Sequence, residues 1–450
     1  MTEFDVEEFI DRTPFGATQY ITVFACVLIC FIDGFDLVLL GKIAPAIAAD
    51  FGEVSAAMTP VFVYQQIGLA IGAFVISPLA DRMGRRLMLI ICCFFLSVTM
   101  LASIYVQSLQ MLAVMRGIGG IFMAACLPIA MTLISELTPK NRRSTLVALI
   151  LGGYSIGSAA TAFVAAWLLD DYGWESGFII GGIVPLVCLP LLIFVVPESL
   201  KLRAERNPHD ARIAQTLRRI DRNLTLRGDE VFVLGGTGAQ VRKAKLNDVF
   251  SDGRLMTTML LWAAYTLSVV LTVLLGTWLP SFFQEMAGIP IQQFALVALI
   301  GYFGGVTGPL VIGWLMDRMR PALLLAGAYL LLTICINMLA WVPFHSFAFI
   351  LVVISWAFFQ SGGQGGLKLL ATHLYPPRMR STALGWASGA SRVGAIVAPI
   401  AGGFALAQQY SLQFTMAMAA VLPLGVAVLM FVLATVSEEG PAADAEPSRL

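Results

Sequence analysis

A charged stretch, Leu79-Ala80-Asp81-Arg82-Met83-Gly84-Arg85-Arg86, separates two long apolar segments in the first third of the chain. Its central part recurs in the second half as Asp317-Arg318-Met319. Each copy follows a glycine at the same spacing, Gly72 in the first case and Gly308 in the second. A motif that returns together with its spacing indicates a duplicated architecture, because chance similarity seldom preserves both.

Apolar residues dominate the chain on both sides of these motifs. Of the 450 residues, 58% are hydrophobic and 12% are charged, which is about half the charged share of a soluble domain. A membrane-spanning helix needs about 20 apolar residues, so the apolar runs predict twelve spans and an all-α membrane protein. The predicted spans are residues 18–41, 58–80, 87–106, 110–134, 145–169, 176–196, 255–279, 291–316, 321–341, 346–369, 382–407 and 411–436.

A second motif supports the duplication. Residues 136–145 read Glu-Leu-Thr-Pro-Lys-Asn-Arg-Arg-Ser-Thr, and residues 373–382 read His-Leu-Tyr-Pro-Pro-Arg-Met-Arg-Ser-Thr, at almost the same separation as the first pair. The two pairs predict two pseudo-symmetric six-helix halves, related by an axis along the membrane normal, with a substrate site between them at mid-depth. The predicted segments are an N-terminal tail (1–17), a first half (18–196), a central loop (197–254), a second half (255–436) and a C-terminal tail (437–450).

The basic residues predict the orientation. All but four of the 28 Lys and Arg residues fall in the tails and in the loops that follow spans 2, 4, 6, 8 and 10. By the positive-inside rule both tails and the central loop are cytoplasmic. Within that loop Ile213, Leu217, Ile220 and Leu224 recur at helical spacing, which predicts a short helix lying on the membrane surface. Lys42 and Lys368 fall at span ends, where a lysine extends its ammonium group to the interface.

Several function classes are disfavoured. The formal net charge is zero, so no nucleic-acid partner is expected. There is no Walker A loop and no Ser/His/Asp or His-Glu-x-x-His pattern, so we expect neither ATP-driven work nor enzymatic activity. The seven cysteines lie in apolar segments without metal-ligand spacing, and we expect no metal and no cofactor.

Two carboxylates lie inside the first span. Asp33 and Asp36 are three residues apart and therefore share one helical face near the middle of the bilayer. A charged side chain at that depth costs about 3 kcal/mol or more, so it persists mainly where it has a task. Reversible protonation is a task that suits a carboxylate in a low-dielectric cavity, and the competing interpretation is a purely structural hydrogen bond.

At this point the chain resembles the major facilitator superfamily over essentially its whole length. The stretch 79–86 is similar to that superfamily's hallmark between spans 2 and 3, and Arg116-Gly117-Ile118-Gly119-Gly120 and Pro197-Glu198-Ser199 fit it too. Within the superfamily, Asp33-Gly34-Phe35-Asp36 followed by Ile43-Ala44-Pro45 resembles the aromatic acid/proton symporter family. That resemblance implies that both aspartates are needed for transport.

Two arginines within spans are candidate anion ligands. A guanidinium group stays charged and matches a carboxylate with two parallel hydrogen bonds. Arg116 lies in span 4 and Arg392 near the middle of span 11, where the counterpart in the first half is the neutral Ser155. A charge confined to one half favours a substrate contact over a symmetric scaffold role. The alternative for Arg116 is a structural or proton-linked part of the span-4 motif.

The loop motifs are predicted to control gating rather than to bind substrate. Their charges lie where helix ends of the two halves meet on the cytoplasmic side, so they can hold and release one conformational state. Glu136 at the inner end of span 4 joins this network or, alternatively, lies on the proton exit path. The predicted gating residues are Asp81, Arg82, Gly84, Arg85, Arg86, Glu136, Asp317 and Arg318.

Aromatic and amide side chains within spans are candidates for lining a pocket, because rings stack on an aromatic substrate and amides bind its hydroxyl groups. The wider set is Tyr64, Gln65, Tyr154, Tyr302, Phe303, Trp356, Phe359, Gln360, Gln364 and Trp386. Tyr64, Gln65, Phe359 and Gln360 are the predicted substrate contacts among them, while the glycines of spans 5 and 11 are expected to permit close helix packing.

The resemblance and the residues together predict a proton-coupled secondary transporter of a bacterial inner membrane. It would import a small organic anion, best matched by an aromatic carboxylate of the benzoate or hydroxybenzoate class, by alternating access and as a monomer. Two alternatives within transport stay open: a proton-coupled exporter of drugs or aromatic acids, and a symporter of a non-aromatic carboxylate such as muconate. A membrane sensor or integral enzyme is disfavoured, because neither a signalling domain nor a catalytic pattern is visible.

Overall fold

The computed structural model describes residues 3–221, 224–226, 230–233, 246–251 and 253–439. The chain forms two compact units, Met1–Gln240 and Val241–Leu450. The first unit contains β1 Glu3–Asp5, α1 Val6–Arg12, α2 Ala17–Asp50, α3 Thr59–Met83, α4 Arg85–Ala102, α5 Leu109–Leu137, α6 Lys140–Phe163, α7 Leu169–Tyr172, α8 Glu175–Phe194, α9 Leu200–Arg206, α10 Ala211–Ile220 and β2 Val231–Val233. The second contains α11 Leu246–Phe250, α12 Leu255–Ala287, α13 Ile291–Met316, α14 Pro321–Trp341, α15 Phe347–Leu374, α16 Pro377–Ala407 and α17 Leu412–Glu439.

The prediction of twelve spans is confirmed within the described part of the chain. Six helices long and apolar enough to cross a membrane fall in each unit; a π-helical turn at Val164–Leu168 joins α6 and α7 into one of them. Two helices run well past the predicted ends, α2 to Asp50 and α12 to Ala287. In α2 the residues after Lys42, positions 43–49, are again apolar and helical, so a single lysine does not end the span.

Lys42 corrects one prediction. The extension of α2 places this residue eight positions before the end of the helix, and the side chain is 5% exposed. It therefore does not lie at a span end with its ammonium group extended to the interface. Lys368, in contrast, is exposed.

Close helix pairs in the two units use matching glycines. A Cβ atom added to Gly72 in α3 would lie 1.9 Å from the Ile121 carbonyl oxygen in α5. In the second unit, a Cβ atom on Gly308 in α13 would lie 2.1 Å from the Phe358 carbonyl oxygen in α15. The glycines that precede the duplicated loop motif thus allow the same backbone-to-backbone contact in both units.

The N-terminal segment of the first unit contains a short β-strand, which the all-α prediction did not include. Strand β1 pairs in parallel with β2, with Phe4 opposite Phe232. The Asp11 carboxylate accepts a hydrogen bond from the Lys140 backbone N–H at 2.9 Å and pairs with the Lys140 ammonium at 3.1 Å. Desolvation acts to raise the pKa of Asp11, but these hydrogen bonds and charges outweigh it and lower that pKa.

The helix predicted in the central loop is present as α10, but it ends at Ile220, before Leu224, and it is not a membrane-surface element. Its apolar residues Ile213, Leu217 and Ile220 are buried in the core of the first unit. The same cluster contains Val6 and Ile10 of α1. Helix α10 packs against α2 and α9, so its apolar residues face the protein interior and not lipid.

Candidate functional site

The two aspartates of α2 are buried where a glycine brings the helix against α6. A Cβ atom added to Gly34 would lie 2.1 Å from the Tyr154 carbonyl oxygen, and the Ser158 hydroxyl donates to the Gly34 carbonyl at 3.0 Å. Gly34 and Asp36 are two positions apart and so project from nearly opposite sides of the helix. The contact with α6 therefore turns Asp36 toward the other helices of the unit.

Asp36 and Arg116 form a buried ion pair. The Arg116 Nη2 donates to Asp36 Oδ1 at 2.6 Å, and the two side chains are 1% and 2% exposed. Asp36 Oδ2 and Arg116 Nε have no hydrogen-bond partner among the described residues. The pair is thus incompletely satisfied on both sides, although removing two such charges from water is costly.

Arg116 makes two weaker contacts besides the ion pair. Its Nη1 donates to the Met100 sulfur at 2.9 Å, and its Cζ lies 5.7 Å from the centre of the Phe178 ring. A thioether is a weak acceptor, and a ring face attracts a cation only moderately. Of the guanidinium contacts, the one with Asp36 is therefore the strong one, and a second carboxylate would compete with it.

Asp33 lies three residues before Asp36 on α2 and is 9% exposed. Both members of the predicted carboxylate pair are thus buried in the first unit, together with Arg116. Among the described residues, no group of three or more His, Cys, Asp or Glu side chains could hold a metal ion.

The other predicted substrate contacts are distributed over both units. In the first unit Gln65 is 3% exposed, whereas Tyr64 is 48% exposed and packs against Gly117. In the second unit Arg392 of α16 is half-buried. Phe359 of α15 is half-buried too and lies edge-on to Phe358 at 5.1 Å between ring centres.

A hydrogen-bonded polar group connects α12 with α15 inside the second unit. The amide nitrogens of Gln360 and Gln364 lie 2.6 and 3.3 Å from the Thr272 hydroxyl oxygen. One turn earlier on α12, the Ser268 hydroxyl lies 2.7 Å from the Tyr329 hydroxyl of α14. Gln360 thus belongs to a polar cluster that its isolated position in the sequence does not reveal.

A carboxylate outside the set of predicted gating residues holds the loop between α3 and α4. Glu198 Oε1 accepts hydrogen bonds from the backbone N–H groups of Arg85 and Arg86 at 2.8 and 3.1 Å, at the positive end of α4. Gly84 precedes them with φ of +118°, and a Cβ atom there would lie 2.5 Å from Glu198 Oε2. The sequence carries a signal for Glu198, because Pro197-Glu198-Ser199 fits the superfamily pattern.

The side chains of the same loop join a second carboxylate. Arg85 forms an ion pair with Glu136, whose Oε2 also accepts from the Ser199 hydroxyl at 2.5 Å. The exposed Asp81 lies 3.6 Å from Arg85. Arg86 donates to the carbonyls of Leu192 and Ile193 at the end of α8. Glu136 therefore contacts the loop network, as one of its two predicted roles requires.

The duplicated loop in the second unit differs. Asp317 and Arg318 are exposed, and the Arg318 guanidinium lies 3.9 Å from the centre of the Trp314 ring. At the positions that correspond to Arg85 and Glu136, the second half has Pro321 and His373. The repeat thus keeps the Asp-Arg start of the motif but has neither member of the Arg85–Glu136 ion pair.

Glu198→Ala is expected to lower the free energy of unfolding by about 1–2 kcal/mol, because α4 loses the carboxylate that accepts from its first N–H groups. Glu205→Ala is the matched control, since Glu205 is exposed in the neighbouring helix α9. Thermal unfolding of both purified variants measures the difference. Equal midpoints for the two would show that the Glu198 contacts contribute nothing.

The described part of the chain contains twelve apolar helices long enough to cross a membrane, six in each unit, with a charged pair buried inside the first unit. This arrangement defines a multi-pass membrane protein. The family model described as Major Facilitator Superfamily matches residues 26–388 and 304–449. A gallate transporter of Pseudomonas putida is 34% identical over 89% of this chain and 89% of its own length. The 4-hydroxybenzoate transporter PcaK of Acinetobacter baylyi is 32% identical over 96% and 95%.

Solved structures give the same fold. A bacterial homologue of the human lysosomal transporter Spinster superposes with a TM-score of 0.70 at 15% identity, covering 96% of this chain and all of that one. The chain belongs to the major facilitator superfamily. Within it, the chain matches the aromatic-acid type to which the gallate and 4-hydroxybenzoate transporters belong.

Proposed function

We propose that this protein imports small aromatic carboxylates of the benzoate or hydroxybenzoate class together with protons, by alternating access, across a bacterial inner membrane. The observation that carries the proposal is the buried Asp36–Arg116 ion pair. The relatives named for gallate, 4-hydroxybenzoate and benzoate support the substrate class. The charge distribution along the sequence supports placing both termini in the cytoplasm.

The ion pair offers a direct way to couple a proton to an anion. When Asp36 is ionised, it neutralises Arg116 and leaves little reason for a second anion to bind there. Protonation of Asp36 removes that negative charge, and a substrate carboxylate then takes its place beside the guanidinium. Proton and substrate favour each other's binding for the same electrostatic reason, and this coupling is necessarily reciprocal.

The remaining charges have proposed roles around this exchange. Asp33, on the same face of α2, provides a second protonatable carboxylate on the proton's route. Arg392 is a second cation within a span that can attract an organic anion. The weak acceptor Met100 leaves Arg116 Nη1 available to the incoming carboxylate. The contacts of Arg85, Glu136 and Glu198 stabilise one conformational state of the transporter, which is the gating role proposed for the loop.

Uptake into proteoliposomes tests the proposal. With labelled 4-hydroxybenzoate outside and an alkaline interior, the purified protein is expected to accumulate the label above the external concentration. A protonophore should reduce accumulation to equilibration. Persistent accumulation in the presence of the protonophore would contradict proton coupling, and uptake of muconate without uptake of aromatic acids would contradict the substrate class.

A further inference from the structure

The side chain of Gln360 is held in one orientation by its neighbours. It lies on α15 in the second unit and is 8% exposed. Its amide end points at the Thr272 hydroxyl oxygen, 2.6 Å away. An amide can in principle turn either its oxygen or its nitrogen toward such a partner, so the orientation must follow from the hydrogen-bond network.

Thr272 determines which end of the amide faces it. The Thr272 hydroxyl has a single hydrogen, and the Ser268 carbonyl accepts it at 2.8 Å. Toward Gln360 the hydroxyl therefore presents lone pairs and requires a donor, which is the NH2 group. Gln364 is directed at the same oxygen at 3.3 Å and has the same requirement.

The opposite end of the Gln360 amide is consequently its carbonyl oxygen. This Oε1 is buried and has no hydrogen-bond partner among the described residues. A group that satisfies it must donate a hydrogen bond. A carboxylate cannot do so, and its negative charge would be repelled by the carbonyl dipole.

Trp356 lies one helical turn before Gln360 on the same face of α15. Its indole Nε1, a donor, is also buried and has no partner among the described residues. A ring hydroxyl donates one hydrogen bond and accepts another, so its chemistry matches this donor and acceptor together. An unsubstituted ring matches neither.

We infer that Gln360 recognises a hydrogen-bond donor on the substrate ring, so that hydroxylated aromatic acids are selected over benzoate. The inference rests on the proposed function, which supplies the aromatic carboxylate. Sites that hydrogen-bond a substrate hydroxyl discriminate strongly against analogues without it, because the buried protein group is then left unsatisfied. We expect benzoate to bind on the order of 10- to 100-fold more weakly than the preferred hydroxybenzoate.

The first experiment uses the unmodified full-length protein and a series of ligands. Benzoates with hydroxyl, amino or fluoro groups at ring position 3 or 4 compete with labelled 4-hydroxybenzoate for uptake. Hydroxyl and amino groups donate hydrogen bonds, whereas fluorine is of similar size and does not. Donor-bearing ligands are expected to compete at least 10-fold better than the fluoro analogues at one of the two positions. Equal competition would overturn the inference and leave the proposed function standing, whereas no binding of any benzoate would overturn the proposed function itself.

The second experiment uses variants to test whether the Gln360 carbonyl oxygen accepts the hydrogen bond from the ligand. Gln360→Met keeps the length of the side chain but removes its carbonyl, and it is expected to reduce the hydroxyl-to-fluoro ratio to about 1 while benzoate still binds. Thr272→Val removes the group that orients the amide and should reduce the ratio in part. Gln364→Met is the matched control, because Gln364 contacts the same hydroxyl but has no buried unsatisfied oxygen, and it should retain the ratio. An unchanged ratio in Gln360→Met, or equal loss of all ligands, would assign Gln360 a structural role and overturn the inference.

Discussion

Asp36→Asn is expected to abolish concentrative uptake and to destabilise the substrate-free protein by about 3–5 kcal/mol. The substitution leaves Arg116 buried and charged while removing the carboxylate that lies 2.6 Å from it. Asn also imitates the protonated state of Asp36, in which the substrate carboxylate is proposed to neutralise Arg116. The substrate should therefore raise the unfolding temperature of Asp36→Asn more than it raises that of the unmodified protein.

Two measurements separate these effects. Thermal unfolding with and without 4-hydroxybenzoate reports stability and ligand binding, and counterflow in proteoliposomes reports exchange that needs no net proton movement. We expect Asp36→Asn to retain counterflow while it loses accumulation driven by a pH gradient. If it accumulates substrate normally, Asp36 does not carry the coupled proton.

Matched variants test whether the effects of Asp36→Asn arise from the unpaired charge of Arg116. The double variant Asp36→Asn with Arg116→Gln removes both charges and should regain most of the lost stability, but it should lose the response to substrate. Asp33→Asn changes the other carboxylate of the pair while keeping the Asp36–Arg116 contact, so a smaller loss of stability is expected. Equal stability losses in Asp33→Asn and Asp36→Asn would contradict the special role of the ion pair.

Gly157→Ala is expected to cost about 3 kcal/mol or more of folding free energy. A Cβ atom at this position of α6 would lie 1.9 Å from the Phe31 carbonyl oxygen in α2. No rotation of a side chain relieves a clash with backbone, so the two helices must move apart. Because α2 carries Asp33 and Asp36, the movement should also abolish uptake in whatever fraction still folds.

Gly152→Ala on the same helix provides the control. An added Cβ atom there has no neighbour within 4 Å. Alanine restricts the unfolded chain more than glycine and suits a helix better, so this variant should be neutral or more stable by about 0.5–1 kcal/mol. Thermal unfolding of both variants in detergent measures the contrast, and similar midpoints would contradict the close packing of α2 on α6.

Much of the architecture followed from local sequence patterns. The count of twelve spans was correct for the residues that the structure describes. Each span must satisfy its backbone hydrogen bonds internally and expose apolar side chains to lipid, which requires a run of about 20 apolar residues. Gly72 and Gly308 occupy corresponding positions of the sequence repeat, and each permits the same kind of close helix contact in its own unit. The aspartates of α2 stood out for a similar reason, since charge inside an apolar run is costly wherever it falls.

Other features depended on contacts between segments far apart in the chain. The sequence placed Asp36 and Arg116 in spans 1 and 4 but did not show which aspartate pairs with the arginine. Helix α10 has the apolar stripe of a membrane-surface helix, yet it packs against α2 and α9. Lys42 is enclosed because α2 continues for eight residues after it. Periodicity reports that a face is apolar and gives no information about what will cover it.

By itself the sequence determined the number of spans and the presence of costly charges within them, because these follow from the demands that lipid makes on each segment separately. It also showed the duplication, because two loop motifs recur at almost one separation. The tertiary structure alone decided that Asp36 pairs with Arg116 and that Glu198 caps α4. It also decided that the Gln360 amide nitrogen faces Thr272 and that its carbonyl oxygen points away from Thr272. Several side chains in the sequence have the chemistry to form each of these contacts. Which of them do so depends on donor–acceptor distances of about 3 Å, and only the packing of the helices sets those distances.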